Sequence, residues 1–175
     1  MRDVLKVLQA FNHPVGIATK GVLVERDADI LAPMSALGLA RVGISLTTLD
    51  ARLARKMEPR VPSPARRLRA IETLARAGVE VRVMISPIVP GLTDHEIEAL
   101  LKSAREAGAV AASMIALRLP REVSELWRTW LAEHYPHRFN RVMDKIRVMH
   151  GGQDYDSRFG HRMRGEGVFA DLMQA

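Results

Sequence analysis

Residues 79–117 read VEVRVMISPIVPGLTDHEIEALLKSAREAGAVAASMIAL, and this stretch decides the fold. Val79 to Ser86 and Val110 to Leu117 are β-rich runs. Between them, Thr93 is followed three residues later by Glu96, the capping-box spacing. Ile97, Leu100, Leu101 and Ala104 then recur on one helical face until Gly108 stops the turn. Strand, helix and strand in that order make a βα unit with parallel strands. The same grammar runs upstream, where Pro14 to Thr19 and Arg41 to Leu46 read as two further strands. Leu68, Ile71, Leu74 and Ala75 mark the inward face of a helix that ends at Gly78. That helix follows Pro62-Ser63-Pro64, which places a proline at the first helical position. Val4, Leu5, Val7, Leu8 and Phe11 give residues 1–12 the pattern of an amphipathic helix whose apolar side calls for a sheet to cover.

After Pro120 the pattern changes. Leu126, Trp127, Trp130 and Leu131 predict one helix, and Phe139, Val142, Met143, Ile146 and Met149 another, while His150 to Gly167 is rich in glycine and charge and reads as a loop. The expected organisation is an α/β part over residues 1–120 and a helical extension with a basic tail over 121–175.

Composition bounds the function. A chain of 175 residues fits one domain and can bury a sizeable core. No apolar run is long enough to cross a membrane, and the first twenty residues lack the pattern of a signal peptide, so the expected location is cytoplasmic. With no cysteine, the chain offers no disulfide, thiolate-held zinc or thiolate-held iron–sulfur cluster. A net charge of +6 favours polyanionic partners.

In parallel βα sheets, ligands bind at the C-terminal ends of the strands. Here those ends carry Thr19-Lys20, Ser45-Leu46-Thr47-Thr48, Ser86-Pro87 and Leu117-Arg118. Cations and hydroxyls on one rim suit a carboxylate or phosphate. Polar residues also end strands simply where water begins. A few residues beyond the second strand, in Lys56-Met57-Glu58-Pro59-Arg60-Val61-Pro62-Ser63-Pro64, Glu58 and Arg60 are held by fixed proline dihedrals, either as a preorganised clamp or as a solvated pair at the start of a helix. Two rival readings remain. Lys20 could be the Schiff-base lysine of an aldolase-type barrel. Alternatively Arg138, Arg141, Lys145, Arg147, Arg158, Arg162 and Arg164 could meet the phosphates of a nucleic acid, in a non-catalytic binding module. His134, His137, His150 and His161, near Asp154 and Asp156, follow no metal-ligand spacing and read as surface loop residues.

Taken together, Ile17-Ala18-Thr19-Lys20, Gly43-Ile44-Ser45-Leu46, Glu58-Pro59-Arg60 with Pro62-Ser63-Pro64, and Ser86-Pro87-Ile88-Val89-Pro90-Gly91-Leu92-Thr93-Asp94 resemble the radical S-adenosylmethionine superfamily. More closely they resemble its spore photoproduct lyase-like, or DNA repair photolyase-like, branch. The resemblance implies a partial (β/α)6 TIM-like barrel, incomplete at its N-terminus, belonging to a longer parent protein. It implies S-adenosylmethionine and a 4Fe–4S cluster as cofactors of that parent, the generation of a 5′-deoxyadenosyl radical, and DNA as an expected partner. On the same ground Lys20 is expected near the methionine carboxylate, Ser45 near the ribose or carboxylate, Glu58 and Arg60 as a charged pair near the methionyl end, and Ile88 and Val89 beside the adenine. The Cys-x-x-x-Cys-x-x-Cys loop of that superfamily has no counterpart in these residues.

Overall fold

Strand β2 (Ala40–Ser45) is buried at every position except Arg41, as expected of a strand covered on both faces in a parallel sheet. The computed structural model describes residues 1–174. Helix α1 (Arg2–Ala10), strand β1 (Val15–Thr19) and helix α2 (Ala28–Ala36) precede β2; α3 (Ala51–Met57), α4 (Pro64–Arg76), β3 (Glu80–Ile88), α5 (Ile97–Glu106) and β4 (Ala111–Ala116) follow it. Helices α6 (Glu122–His134), α7 (Phe139–Met149) and α8 (Val168–Gln174) come last. The four expected strands are present, each within two residues of its expected ends.

The sheet order is β1-β2-β3-β4. Strand β1 lies parallel to β2 with Val15 opposite Ala40 and Thr19 opposite Ile44, and β2 lies parallel to β3 with Arg41 opposite Glu80. The β4 segment advances in step with β3: Val110 N–H donates to the Val81 carbonyl at 2.9 Å and Leu117 N–H to the Ile88 carbonyl at 2.8 Å. The architecture is a four-stranded parallel α/β sheet with alternating helices.

The chain forms two compact units that interleave in sequence, whereas the sequence reading placed a break after residue 120. The first comprises residues 1–85 and 98–113, the second 86–97 and 114–175. In the first, Leu31, Met34, Val42, Ile44, Ile71, Leu74, Val81, Val83 and Leu100 are buried. In the second, Ile88, Val89, Leu92, Leu131, Val142, Met143, Ile146 and Met149 are. Gly108 closes α5 with φ +101, and a Cβ there would stand 2.6 Å from the Ala75 Cβ. Gly108→Ala is therefore expected to lower stability by about 2–3 kcal/mol, through left-handed strain and overpacking, as read by urea unfolding.

Several local expectations are corrected. Thr93 does not cap α5. A 3-10 turn over Asp94–Glu96 precedes that helix, and the Thr93 hydroxyl instead accepts from Val89 N–H at 2.9 Å. Helix α1 buries Leu5 alone, leaving Val4, Val7 and Phe11 exposed, and it is tied through Arg2 to Asp27 and Asp29 at the start of α2. Helix α2 was not legible: Pro33 interrupts it and its apolar residues Ile30, Leu31 and Met34 lack a clean stripe. His150 is buried rather than on a loop surface, and its Nδ1–H donates to the Ile146 carbonyl at 2.8 Å. Among the described residues no helix is long and apolar enough to cross a membrane.

Candidate functional site

A buried arginine organises the polar cluster of the first unit. Helix α3 starts on Asp50, whose Oδ1 accepts from the N–H groups of Arg52 (2.7 Å) and Leu53 (3.2 Å). It ends at Glu58, its C-cap, with φ −138 and ψ 65. Ser63 then caps α4, with Pro64 in its first turn. Arg67, one turn further, lies on the buried face that also holds Pro64, Ala70, Ile71 and Leu74.

The Arg67 side chain is 1% exposed, and all three of its nitrogens are used. Nε donates to the Pro62 carbonyl at 2.8 Å, Nη1 to the Ser45 carbonyl at 3.1 Å and Nη2 to Glu58 Oε2 at 2.6 Å. The other Glu58 oxygen accepts from Lys20 Nζ. Lys20 directly follows β1, where Gly21 N–H donates to the Thr19 hydroxyl at 2.9 Å and turns the chain. Exposure rises along the chain of contacts, from 1% at Arg67 through 10% at Glu58 to 41% at Lys20. The buried guanidinium thus fixes a carboxylate, and the carboxylate fixes a solvent-facing ammonium at the C-terminal end of a parallel strand. An ammonium carries three donors, and Glu58 accepts from one of them.

Burial alone would push the Glu58 carboxyl up, but hydrogen bonds from Lys20 and Arg67 hold it below its ordinary value of 4.5. A folded value below the unfolded one means that the unfolded chain binds more protons in that window. The stabilisation is therefore present above about pH 4.5 and is lost as pH falls through the folded value. Glu58→Gln should lower stability at pH 7 by about 2 kcal/mol and flatten the acid limb of the stability profile, measured by urea unfolding between pH 7 and pH 3. An acid limb of unchanged slope would remove Glu58 from this role.

The predicted site residues divide. Lys20 and Glu58 meet directly, and Ser45, 6% exposed at the end of β2, joins them through its backbone carbonyl. Arg60 does not pair with Glu58: both carboxylate oxygens are taken by Lys20 and Arg67, and Arg60 is exposed with no ion pair among the described residues. Ile88 and Val89 belong to the second unit, where both are buried at 1% and 0% exposure. Arg118, at the end of β4, donates to the Tyr155 hydroxyl at 3.0 Å.

One residue escaped the sequence reading, and one named only as part of a strand end stands out. Arg67 sits in Arg66-Arg67-Leu68-Arg69, which looks like a solvated run. Its signal was position, a cation on the same helical face as Ile71 and Leu74. Thr47 is 1% exposed just beyond β2, and its hydroxyl has no hydrogen-bond partner among the described residues, a condition that a polar ligand atom relieves.

Of the basic residues towards the C-terminus, Arg147 and Arg128 hold Asp154, Arg158 holds Asp156 and Glu166, and Lys145 holds Asp94. Asp156, His161 and Glu166 converge within 4.8 Å, with the Arg158 guanidinium bonded to both carboxylates.

Comparison with known proteins identifies the family of the chain. The profile of the Radical SAM superfamily matches residues 1–104, and the chain belongs to that superfamily. An uncharacterized protein of Mycobacterium bovis is 31% identical over 149 residues, covering 84% of this chain and 44% of the relative. One of Methanocaldococcus jannaschii is 34% identical over 95 residues, covering 54% of this chain and 35% of the relative. The chain thus spans less than half the length of these relatives. Among solved structures, Streptococcus suis SuiB bound to S-adenosylmethionine superposes with a TM-score of 0.53 at 17% identity, covering 75% of this chain and 32% of that one, a likeness of fold.

The superfamily implies S-adenosylmethionine and an iron–sulfur cluster. The chain has no cysteine, so its residues do not supply the thiolates for a cluster. The donors do fit S-adenosylmethionine: a positioned, half-exposed ammonium suits its carboxylate, and the orphaned Thr47 hydroxyl lies at a neighbouring strand end.

Proposed function

We propose that this chain supplies the S-adenosylmethionine-anchoring part of a radical S-adenosylmethionine enzyme of the spore photoproduct lyase-like branch, with nucleic acid as its substrate class. The observation that carries the cofactor reading is the Lys20–Glu58–Arg67 relay at the ends of parallel strands. Superfamily membership supports it. Bound S-adenosylmethionine is the source of the 5′-deoxyadenosyl radical in this class of chemistry; the residues of this chain bind and orient it. Lys20 holds the methionine carboxylate. Glu58 restrains the lysine so that its remaining donors face outward, and Arg67 holds Glu58 against the end of β2. Ser45, through its carbonyl, ties that strand end to Arg67.

The aldolase-type reading is weaker. Lys20 is engaged by a carboxylate and 41% exposed, whereas a Schiff-base lysine requires desolvation or neighbouring cations. Calorimetric titration with S-adenosylmethionine tests the proposal. Saturable one-to-one binding is expected, and no binding up to about 1 mM ligand would contradict it.

A further inference from the structure

A cavity of about 540 Å³ opens in the second unit. Its walls include Gly91 and Asp94 after β3, Arg138 and Arg141 at the start of α7, Lys145 one turn further along, and Phe169 of α8. Positions 138, 141 and 145 are spaced to share one side of a helix, so three cations face one space against a single carboxylate. Asp94 engages Lys145 at 3.0 Å, and the ammonium also sits 4.6 Å from the centre of the Phe169 ring, so this cation is held in place and only 18% exposed. Arg138 and Arg141 are exposed and make no ion pair among the described residues. That contrasts with Arg128, Arg147 and Arg158 of the same unit, each of which holds a carboxylate.

The wall opposite α7 is also built closely. Gly91 has φ +79, and a Cβ there would lie 3.4 Å from Lys145 Cδ and 3.5 Å from Val142 Cγ2, so the backbone packs against the helix that carries the cations. Two unneutralised guanidiniums offer paired N–H donors matched to the oxygens of a phosphate, and a fixed ammonium adds a third contact. The volume lies within the range of small-ligand pockets and exceeds what a lone inorganic anion needs.

We propose that this cavity is a phosphate-binding site, with Arg138, Arg141 and Lys145 as its ligands, that receives a phosphate carried on a nucleotide. The phosphate could belong to a free nucleotide or to a nucleic-acid strand. The site deepens the substrate side of the proposed function and does not depend on where S-adenosylmethionine binds.

The test uses the full chain and a fluorescein-labelled single-stranded dT12, with anisotropy read from 50 to 300 mM salt and thymidine monophosphate or inorganic phosphate as competitors. Three proteins are compared: wild type, the Arg138→Gln/Arg141→Gln double variant, and an Arg162→Gln/Arg164→Gln control whose residues lie outside the cavity lining. The expected result is at least a tenfold loss of affinity for the double variant, with the salt dependence reduced by about 1.4 in log–log slope for two phosphate contacts on a single strand. The control and the thermal melting point should be unchanged. Strong oligonucleotide binding with weak competition by the monophosphate supports a strand as the source. Monophosphate binding of equal strength, lost in the same variant, supports a free nucleotide. No binding of any probe, or an equal loss in the control, overturns the site. S-adenosylmethionine titrated into the same samples reports separately on the cofactor reading, because the double variant should bind it as wild type does.

Discussion

Arg67→Ala is expected to lower stability by about 3–5 kcal/mol, the range for breaking a buried ion pair by removing one partner. The substitution leaves the Pro62 and Ser45 carbonyls without their buried donor and leaves Glu58, 10% exposed, with Lys20 alone as partner. It also opens space on a face otherwise filled by Ala70, Ile71 and Leu74. Arg67→Lys should recover only part of the loss, because an ammonium cannot reproduce the planar fork that reaches three acceptors at once. Urea unfolding at pH 7 measures both variants. A loss within about 1 kcal/mol for Arg67→Ala, the value of an exposed pair, would mean that the arginine does not organise the cluster.

Lys20→Met is expected to act in the opposite sense, sparing the fold and damaging the ligand site. The lysine is 41% exposed, and an ion pair that open to water contributes about 1 kcal/mol or less, so stability should hardly move. Binding should suffer more, because a positioned ammonium facing a carboxylate makes a charge-assisted hydrogen bond, and losing one costs about 1.5–3 kcal/mol. The expected outcome is a weakening of S-adenosylmethionine binding of roughly 10- to 100-fold. If Lys20→Met instead unfolded the chain while binding per folded molecule stayed constant, the lysine would be structural.

The contrast between these two residues shows what the sequence discloses. Lys20 was legible because strand ends are legible: Val15–Thr19 and Ala40–Ser45 are short runs bounded by turn residues, and a cation placed directly after one stands where parallel sheets bind ligands. Arg67 was hidden because its role depends on tertiary neighbours. Arg66, its immediate neighbour, reaches Glu25 and is 36% exposed, yet the two arginines are indistinguishable by type. Glu58 was found, but with the wrong partner. Adjacency favoured Arg60, whereas the fold brings Lys20 and Arg67 to the two carboxylate oxygens. Ile88 and Val89 stand at the exit of β3 as expected, and both are buried there. The cavity cations of α7 lay within the longer row of basic residues read as a polyanion surface. Tertiary placement separates Arg138 and Arg141 from Arg147 and Arg158, which carboxylates already hold.

The most direct test of the central claim, that Lys20 on its Glu58–Arg67 support receives the carboxylate of S-adenosylmethionine, is a two-by-two calorimetric comparison. Wild type and Lys20→Met are each titrated with S-adenosylmethionine and with its decarboxylated form. The account predicts non-additivity: losing the ligand's carboxylate weakens wild-type binding about as much as losing the lysine, and losing both adds little more. Full additivity, with the decarboxylated ligand discriminated equally by both proteins, would contradict it and place the carboxylate elsewhere.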